Sequence, residues 1–162
     1  MNTTQQNVVR TGFIAMGLLM LLSDSDVAAQ PSVAWGTYLG GTGYDDPYGI
    51  AVDSSGNVYV TGYTNSSGWV NGGWDTILNN TDAYVVKLSA AGAHLWSTYL
   101  GGTSSEQGDG IAVDSSGNVY ATGWTTSFDW VSGGWDTSYA SMWSGGSSDG
   151  YVVKLSPAGA HL

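Results

Sequence analysis

The sequence has no cysteine and few positive charges. Its 162 residues include two His and only three Lys or Arg against thirteen Asp or Glu, which gives a formal net charge of −10 at pH 7. Without cysteine, stability must come from packing, a metal or association with other chains. Without clustered Lys or Arg, nucleic acid is not expected as a partner, because phosphate binding needs positive charge.

The sequence also lacks an apolar run long enough to cross a bilayer. Residues 13–22 form an apolar run of about ten residues, whereas a spanning helix needs roughly 20. Arg10 before this run and the small residues at 27–29 after it are typical of a secretory signal peptide. We therefore expect residues 1–29 to be cleaved, no stable membrane insertion, and a mature protein that is periplasmic, extracellular or attached to the cell surface.

What the sequence does contain is an internal repeat. Residues 35–76 match residues 96–137 at 29 of 42 positions with a shift of 61, and residues 84–95 match residues 151–162 at 11 of 12 positions with a shift of 67. Self-similarity of this kind indicates a repeat architecture. The difference between the two shifts places an insertion within residues 138–149, which we interpret as a loop because insertions collect in loops.

Each copy shows apolar alternation with a period of two, which is typical of β-strands. Residues 50–63 resemble two strands joined by an Asp-Ser-Ser-Gly-Asn turn, in which Gly56 supplies the positive φ that a tight turn commonly requires. Residues 83–100 resemble a second hairpin. The pattern predicts four antiparallel strands in each copy, with helix only in the leader.

Four short antiparallel strands repeated every 40 to 60 residues or so are typical of a β-propeller blade, which buries its two faces only by stacking against other blades. The expected fold class is therefore all-β. Residues 30–95 form the first blade and residues 96–162 the second, so that two blades make an incomplete propeller. Residues 161–162 correspond to the beginning of a strand in the first copy. This indicates either a fragment or an edge covered by further blades from the same or other chains.

Four segments carry a specific family resemblance. They are Leu-Gly-Gly at 39–41, the run at 49–62, the run at 82–88, and Trp-Ser-Thr-Tyr-Leu-Gly-Gly at 96–102. These segments resemble the repeats of the bacterial seven-bladed β-propeller family known as SBBP repeats. The resemblance covers almost all of the chain after the leader, and it implies a blade fold in exported or surface-attached bacterial proteins, typically without a defined activity. Two blades depart from the seven of the family.

The two Asp-Ser-Ser-Gly-Asn turns offer oxygen ligands for calcium. The candidate ligands are Asp53 and Asn57 in the first copy and Asp114 and Asn118 in the second. Each turn has only one carboxylate, and the distal Glu of an EF-hand is absent. We therefore favour the alternative that each Asp caps its turn by accepting hydrogen bonds from backbone amides, and we expect no cofactor, with calcium as the alternative.

Tryptophan is abundant, with eight in the chain. Trp35 and Trp96 lie in the strand motif and are expected to pack between blades. The repeated frame Trp-Val-x-Gly-Gly-Trp-Asp lies between the two hairpins of each copy, and it supplies the candidate ligand-binding residues Trp69, Trp74, Asp75, Trp130, Trp135 and Asp136. We favour packing of these rings onto the blade. The alternative is a glycan site in which the rings stack on sugars and the carboxylates accept from their hydroxyls.

The sequence offers no constellation for catalysis. Its two histidines, His94 and His161, occupy the same repeat position, so a Ser-His-acid triad is not expected. No spacing selects a pair for glycoside hydrolysis from the candidate carboxylates Asp45, Asp46, Asp75 and Asp109. We expect no enzymatic activity and a role as a structural or protein-interaction scaffold. The alternative function is a carbohydrate-binding module that uses the loop tryptophans.

Overall fold

The structure is a computed structural model, and it describes residues 32–128, 130–139 and 147–162. The expected signal peptide, residues 1–29, lies outside the described residues, as do Trp143 and most of the expected insertion loop. Cleavage and export therefore stay predictions. All strands lie within the unit formed by residues 33–162.

Seven strands form two antiparallel sheets. Sheet 1 has the order β1-β2-β3-β4, with β1 at Asp45–Val52, β2 at Val58–Thr64, β3 at Asp82–Leu88 and β4 at His94–Leu100. Sheet 2 has the order β5-β6-β7, with β5 at Glu106–Val113, β6 at Val119–Thr125 and β7 at Asp149–Leu155. The described residues contain no helix, and neither sheet closes on itself. The all-β fold of an incomplete propeller is confirmed.

Sheet 2 has three strands where four were expected. At the position of the fourth, a single antiparallel bridge joins Leu155 to His161, as Leu88 pairs with His94 in sheet 1. Within the described residues, the expected fourth strand of the second copy therefore consists of this single bridge.

The described residues also contain no helix long and apolar enough to span a membrane.

The hairpins form where the turn residues predict them. Gly56 and Gly117 adopt φ angles of 80° and 82°. Each donates its N–H to the carbonyl of the Asp three residues earlier, at 3.0 Å in the first turn and 2.9 Å in the second. This positive φ is accessible to glycine without a steric penalty, which explains the glycine in both turns.

The two sheets stack through one apolar core. Strand β5 packs against β1, β2 and β3. The core combines side chains of sheet 1 with side chains of sheet 2, and its buried members are Tyr59, Ala83, Val85, Trp96, Leu100, Val119, Ala121, Tyr151, Val153 and Leu155. Each sheet therefore buries one face on the other, as stacked blades do.

The stacking is head-to-tail, because the sheets use opposite faces. We call upstream the face that carries Val60 and Val86 in sheet 1 and their repeat equivalents Ala121 and Val153 in sheet 2. The opposite face, which carries Val85 in sheet 1, is called downstream. The upstream face of sheet 2 packs on the downstream face of sheet 1. The upstream face of sheet 1 and the downstream face of sheet 2 remain outside this contact.

Candidate functional site

The first tryptophan of each loop packs onto its own sheet. Trp69 Nε1 donates to Thr64 Oγ1 at 3.2 Å, and its ring meets Tyr84 edge-on with centroids 5.2 Å apart. Trp130 repeats this arrangement, since its Nε1 donates to Thr125 Oγ1 at 3.0 Å and its ring meets Tyr151 edge-on at 4.9 Å. Both indoles have their N–H and one ring edge engaged by the blade, so their contacts are those of packing residues.

The second tryptophan of each loop differs between the copies. Trp74 is 42% exposed, and its ring lies 4.8 Å from the ring of His161, at an angle of 30°. Its equivalent Trp135 is fully exposed. Of the four loop rings considered as alternative ligand-binding residues, Trp135 is therefore the most exposed.

The loop around Trp74 is held along the outer edge of β4. Ser97 N–H donates to Asn71 O at 2.8 Å, and Tyr99 N–H donates to Asp75 O at 2.9 Å. These bonds satisfy edge groups of β4 that would otherwise be unpaired. The loop thus covers the edge of sheet 1.

The two loop carboxylates accept hydrogen bonds within their own turns. Asp75 Oδ1 accepts from Ile77 N–H at 2.8 Å. Asp136 Oδ1 accepts from Ser138 N–H at 2.9 Å and from Ser138 Oγ at 2.6 Å, and these bonds lower the pKa of Asp136. Asp136 also lines a cavity of about 630 Å³ together with Trp130, Trp135 and Tyr139.

The Asp-Ser-Ser-Gly-Asn turns use their oxygens internally. Asp53 Oδ1 accepts from Ser55 N–H and Asn57 N–H, both at 2.9 Å, while Oδ2 accepts from Asn57 Nδ2 at 2.8 Å and Tyr59 OH at 3.0 Å. These bonds lower the pKa of Asp53, with the Asn57 side chain as the largest cause. Both oxygens of Asp53 are thus engaged by protein donors, as in a capped turn.

The second turn repeats the first almost bond for bond. Asp114 Oδ1 accepts from Ser116 N–H and Asn118 N–H, both at 2.9 Å, and Oδ2 accepts from Asn118 Nδ2 at 2.8 Å and Tyr120 OH at 3.2 Å. The pKa of Asp114 is lowered for the same reasons, the Asn118 side chain first. Among the described residues no three His, Asp or Glu side chains come together as a metal site.

The carboxylates considered for glycoside hydrolysis are held by neighbouring donors. Asp45 accepts from Thr64 Oγ1 at 2.5 Å and from Ser66 Oγ at 2.9 Å. Asp46 accepts from Tyr63 OH at 2.5 Å, and Asp109 accepts from Gln107 Nε2 at 2.7 Å.

One histidine does lie beside a serine. His94 Nε2 is 2.9 Å from Ser97 Oγ, and this oxygen also accepts from Asn71 N–H at 2.9 Å. Ser97 is fully buried. The hydroxyl therefore lies beneath the loop on β4, out of reach of a substrate.

Each of the two outward faces carries exposed apolar side chains. On the upstream face of sheet 1, Ile50 and Val52 are 70% and 61% exposed, and a cleft of about 510 Å³ lies between this face and the segment around Tyr38. On the downstream face of sheet 2, Val152 is 73% exposed. These exposed residues are the repeat equivalents of residues that pack between the two sheets.

The segment before β1 lies on sheet 1 much as β4 lies on sheet 2. Trp96 of β4 donates its Nε1–H to Pro157 O at 3.0 Å, in the turn after β7. Trp35, one repeat earlier, donates its Nε1–H to Ala90 O at 3.1 Å, in the turn after β3. Trp96 is buried between the two sheets, as expected, whereas Trp35 is partly exposed at 39%. Residues 33–39 thus occupy the place that a strand of a preceding blade would take.

Sequence reasoning missed one cluster, the carboxyl pair Asp82 and Glu106. Both side chains are completely buried and both lie beside Gly101. The only signal in the sequence is that a Glu at 106 replaces the Asp at 45 of the first copy. Asp82 comes from the other repeat, so the proximity of the two residues could not be predicted from either repeat alone.

Two segments of the chain match one family model. Residues 34–68 and 95–129 match the model described as SBBP, beta-propeller repeat. No curated protein matches the chain. The matched segments hold β1 with β2 and β5 with β6, that is, the first hairpin of each sheet.

Proposed function

Because the chain carries two SBBP beta-propeller repeats, we propose that it is a non-catalytic propeller module that acts as a structural or protein-interaction scaffold. The observation that carries this proposal is the pair of faces with exposed apolar side chains, downstream on sheet 2 and upstream on sheet 1, where residues 33–39 cover only part of the face. They are the same two kinds of face that pack against each other inside the chain. A further blade, from the same or another chain, fits either face.

The physical reason is that a blade leaves apolar area in water until a neighbour covers it. Burying apolar surface contributes about 25 cal/mol for each Å² removed from water. Ile50 and Val52 are the equivalents of Ile111 and Val113, which are packed against the shared core. A blade that docks on sheet 1 would bury Ile50 and Val52 in the same way.

Sedimentation of the mature chain over a range of concentrations tests this proposal. We expect association that grows with concentration. Ile50→Asp should weaken it by placing a charge on the upstream face of sheet 1, and Val152→Asp should weaken it on the downstream face of sheet 2. A chain that stays monomeric at every concentration would contradict docking between copies.

A mixture of the two variants tests the head-to-tail geometry. Ile50→Asp leaves the downstream face of sheet 2 intact, and Val152→Asp leaves the upstream face of sheet 1 intact. Each variant alone should stay monomeric, whereas the mixture should form a heterodimer through the two intact faces. If both variants are monomeric alone and their mixture forms no heterodimer, the faces do not dock in this way.

Carbohydrate binding is a second candidate, carried by Trp135. Its open ring and the carboxylate of Asp136 border the same cavity, and an exposed ring beside an acceptor suits a sugar, which has an apolar face and hydroxyl donors. We expect soluble polysaccharides to quench Trp135 fluorescence and Trp135→Ala to abolish the response. Trp69→Ala is the matched control, because Trp69 is packed. An unchanged spectrum with a panel of polysaccharides would eliminate this candidate.

Export through a cleaved signal peptide is the third part of the proposal. Its support is the short apolar run that precedes Ala29. Mass spectrometry of the protein secreted by a bacterial host should show Gln30 as the first residue. A secreted protein that still carries Met1 would contradict the cleavage.

A further inference from the structure

Two carboxyl groups are buried together where sheet 1 meets sheet 2. Asp82 begins β3 and Glu106 begins β5, and neither residue has any exposed surface. Glu106 N–H donates to Thr81 O at 2.9 Å, which joins the two strand starts. A Cβ built on Gly101 would lie 2.8 Å from Asp82 Oδ1 and closer still to Glu106 Oε2. Both oxygens therefore face the same small space beside Gly101.

The hydrogen bonds of the two groups are unequal. Glu106 Oε1 accepts from Thr125 Oγ1 at 2.7 Å, and Oε2 accepts from Gly102 N–H at 3.0 Å. Asp82 Oδ2 accepts from Asn79 N–H at 3.0 Å, but Asp82 Oδ1 has no hydrogen-bond partner. A buried polar atom without a partner is costly, and more so when it is charged.

No lysine of the described chain compensates this charge. Lys87 Nζ donates to Pro157 O at 3.2 Å, and Lys154 Nζ lies over the ring of Tyr120, 5.5 Å from its centroid. Neither contact involves Asp82 or Glu106.

The titratable groups around Asp82 are acidic. Glu106 on β5 and Asp75 in the loop after β2 both act on it electrostatically, and Tyr99 on β4 experiences its charge. Burial raises the pKa of Asp82 to about 7, with the two neighbouring carboxylates adding to the increase. Two adjacent buried carboxylates without a cation are unfavourable when both are ionised.

We propose that Asp82 and Glu106 share one proton in the folded protein, so that the junction between the two sheets is a proton-binding site. Asp82 Oδ1 takes up a proton from solvent and becomes a carboxylic acid. It then donates to Glu106 Oε2, and this bond pairs the atom that has no other partner. Ionisation of Asp82 at higher pH removes the bond and leaves two negative charges at the junction.

A proton suits this site better than a metal ion. Calcium takes six to eight oxygen ligands, whereas this pair has no third acidic or histidine side chain grouped with it among the described residues. One proton is enough to give Asp82 Oδ1, the oxygen without a partner, a hydrogen bond.

The proton makes stability depend on pH in a definite direction. An Asp in the unfolded chain titrates near pH 3.9, so between about pH 4 and about pH 7 the folded protein holds a proton that the unfolded chain lacks. Stability therefore falls as pH rises through this window and levels off above it.

Melting temperatures between pH 4.5 and pH 8 test the proposal. For the wild-type chain we expect a decrease on the order of 5–10 °C over this range. Asp82→Asn should remove most of that decrease, because the amide is neutral at every pH and still donates to Glu106. Asp149→Asn is the matched control, since Asp149 holds the equivalent position in the second copy. Asp149→Asn should retain the decrease in melting temperature. Both variants keep both histidines, so each differs from the wild-type chain only at one aspartate.

Three results would overturn the proposal. The first is a pH dependence in Asp82→Asn equal to that of the wild-type chain. The second is an increase in the melting temperature of the wild-type chain, but not of Asp82→Asn, when calcium is added at pH 8, because the pair would then bind a cation. The third applies even if the variant fails to fold. In an NMR titration of the wild-type chain, the Asp82 side-chain carbon should titrate near pH 7, and an ordinary Asp titration would exclude the shared proton.

Discussion

The two sheets carry nearly the same strand sequences, yet equivalent residues lie in different environments. Val85 of sheet 1 is completely buried, whereas its equivalent Val152 of sheet 2 is 73% exposed. In the opposite sense, Ile50 of sheet 1 is exposed, whereas Ile111 of sheet 2 packs against the core. The difference shows that a neighbouring blade, rather than the strand sequence, decides whether an apolar residue of this repeat is buried.

The loop tryptophans show the same difference. Trp74 has His161 of the other repeat beside it, whereas Trp135 has open ring faces. His94, the equivalent of His161, is exposed on the upstream side of the molecule. If blades of this kind stack in series, the ring of Trp135 is in position to meet a histidine of the next blade.

The largest expected effect is a charge placed at two equivalent valines. Val85→Asp should destabilise the fold by more than about 4 kcal/mol, because it buries a carboxylate in the core between the sheets. Val152→Asp should change the free energy of unfolding by about 0.5 kcal/mol or less when measured on the monomer. Urea unfolding of both variants checks this, and equal losses would mean that the two valines do not differ in environment.

Removing the inter-sheet tryptophan should have the next largest effect. Trp96→Ala should cost about 3–5 kcal/mol, because the ring is buried between the sheets and donates to Pro157 O. Trp35→Ala, at the equivalent position in the partly exposed segment, should cost about 1 kcal/mol. Thermal unfolding of the two variants compares them. A larger loss for Trp35→Ala would contradict the burial pattern.

A third pair of substitutions affects equivalent hydrogen bonds in the two sheets. Thr64 and Thr125 each donate to a carboxylate and accept from a loop tryptophan. Replacing either with Val removes these bonds and should cost about 1–3 kcal/mol in each copy. Denaturant titrations should give a loss in both copies and the larger loss for Thr125→Val, because its acceptor Glu106 is completely buried beside Asp82 of sheet 1. Equal losses would show that the neighbouring sheet does not affect this network.

The smallest expected effect is in the two hairpin turns. Hydrogen bonds lower the pKa values of Asp53 and Asp114 below the usual 3.8, so their stabilisation is present at neutral pH and is lost as pH falls below that value. Asp53→Asn and Asp114→Asn should each reduce the decrease in melting temperature between pH 5 and pH 2, by similar amounts. A variant that melts with the full acid dependence would show that its turn carboxylate is not involved.

The local parts of this structure could be predicted from the sequence. The hairpins follow from period-two alternation and from Gly56, and the capped turns follow from Asp53. The contacts between repeats could not be predicted. The Asp82–Glu106 pair joins residues of different repeats, and the contrast between Trp74 and Trp135 depends on which blade has a neighbour. Nothing in one repeat encodes either feature.

Nuclear Overhauser spectra of the folded chain test the stacking of the two blades most directly. The Trp96 indole lies against Gly159 in the turn after β7, and the rings of Trp74 and His161 are 4.8 Å apart. We predict cross-peaks between the Trp96 indole protons and the Gly159 Hα protons, and between the Trp74 and His161 ring protons. Assigned spectra that lack both sets of cross-peaks, while those within each sheet are present, would contradict the stacked arrangement.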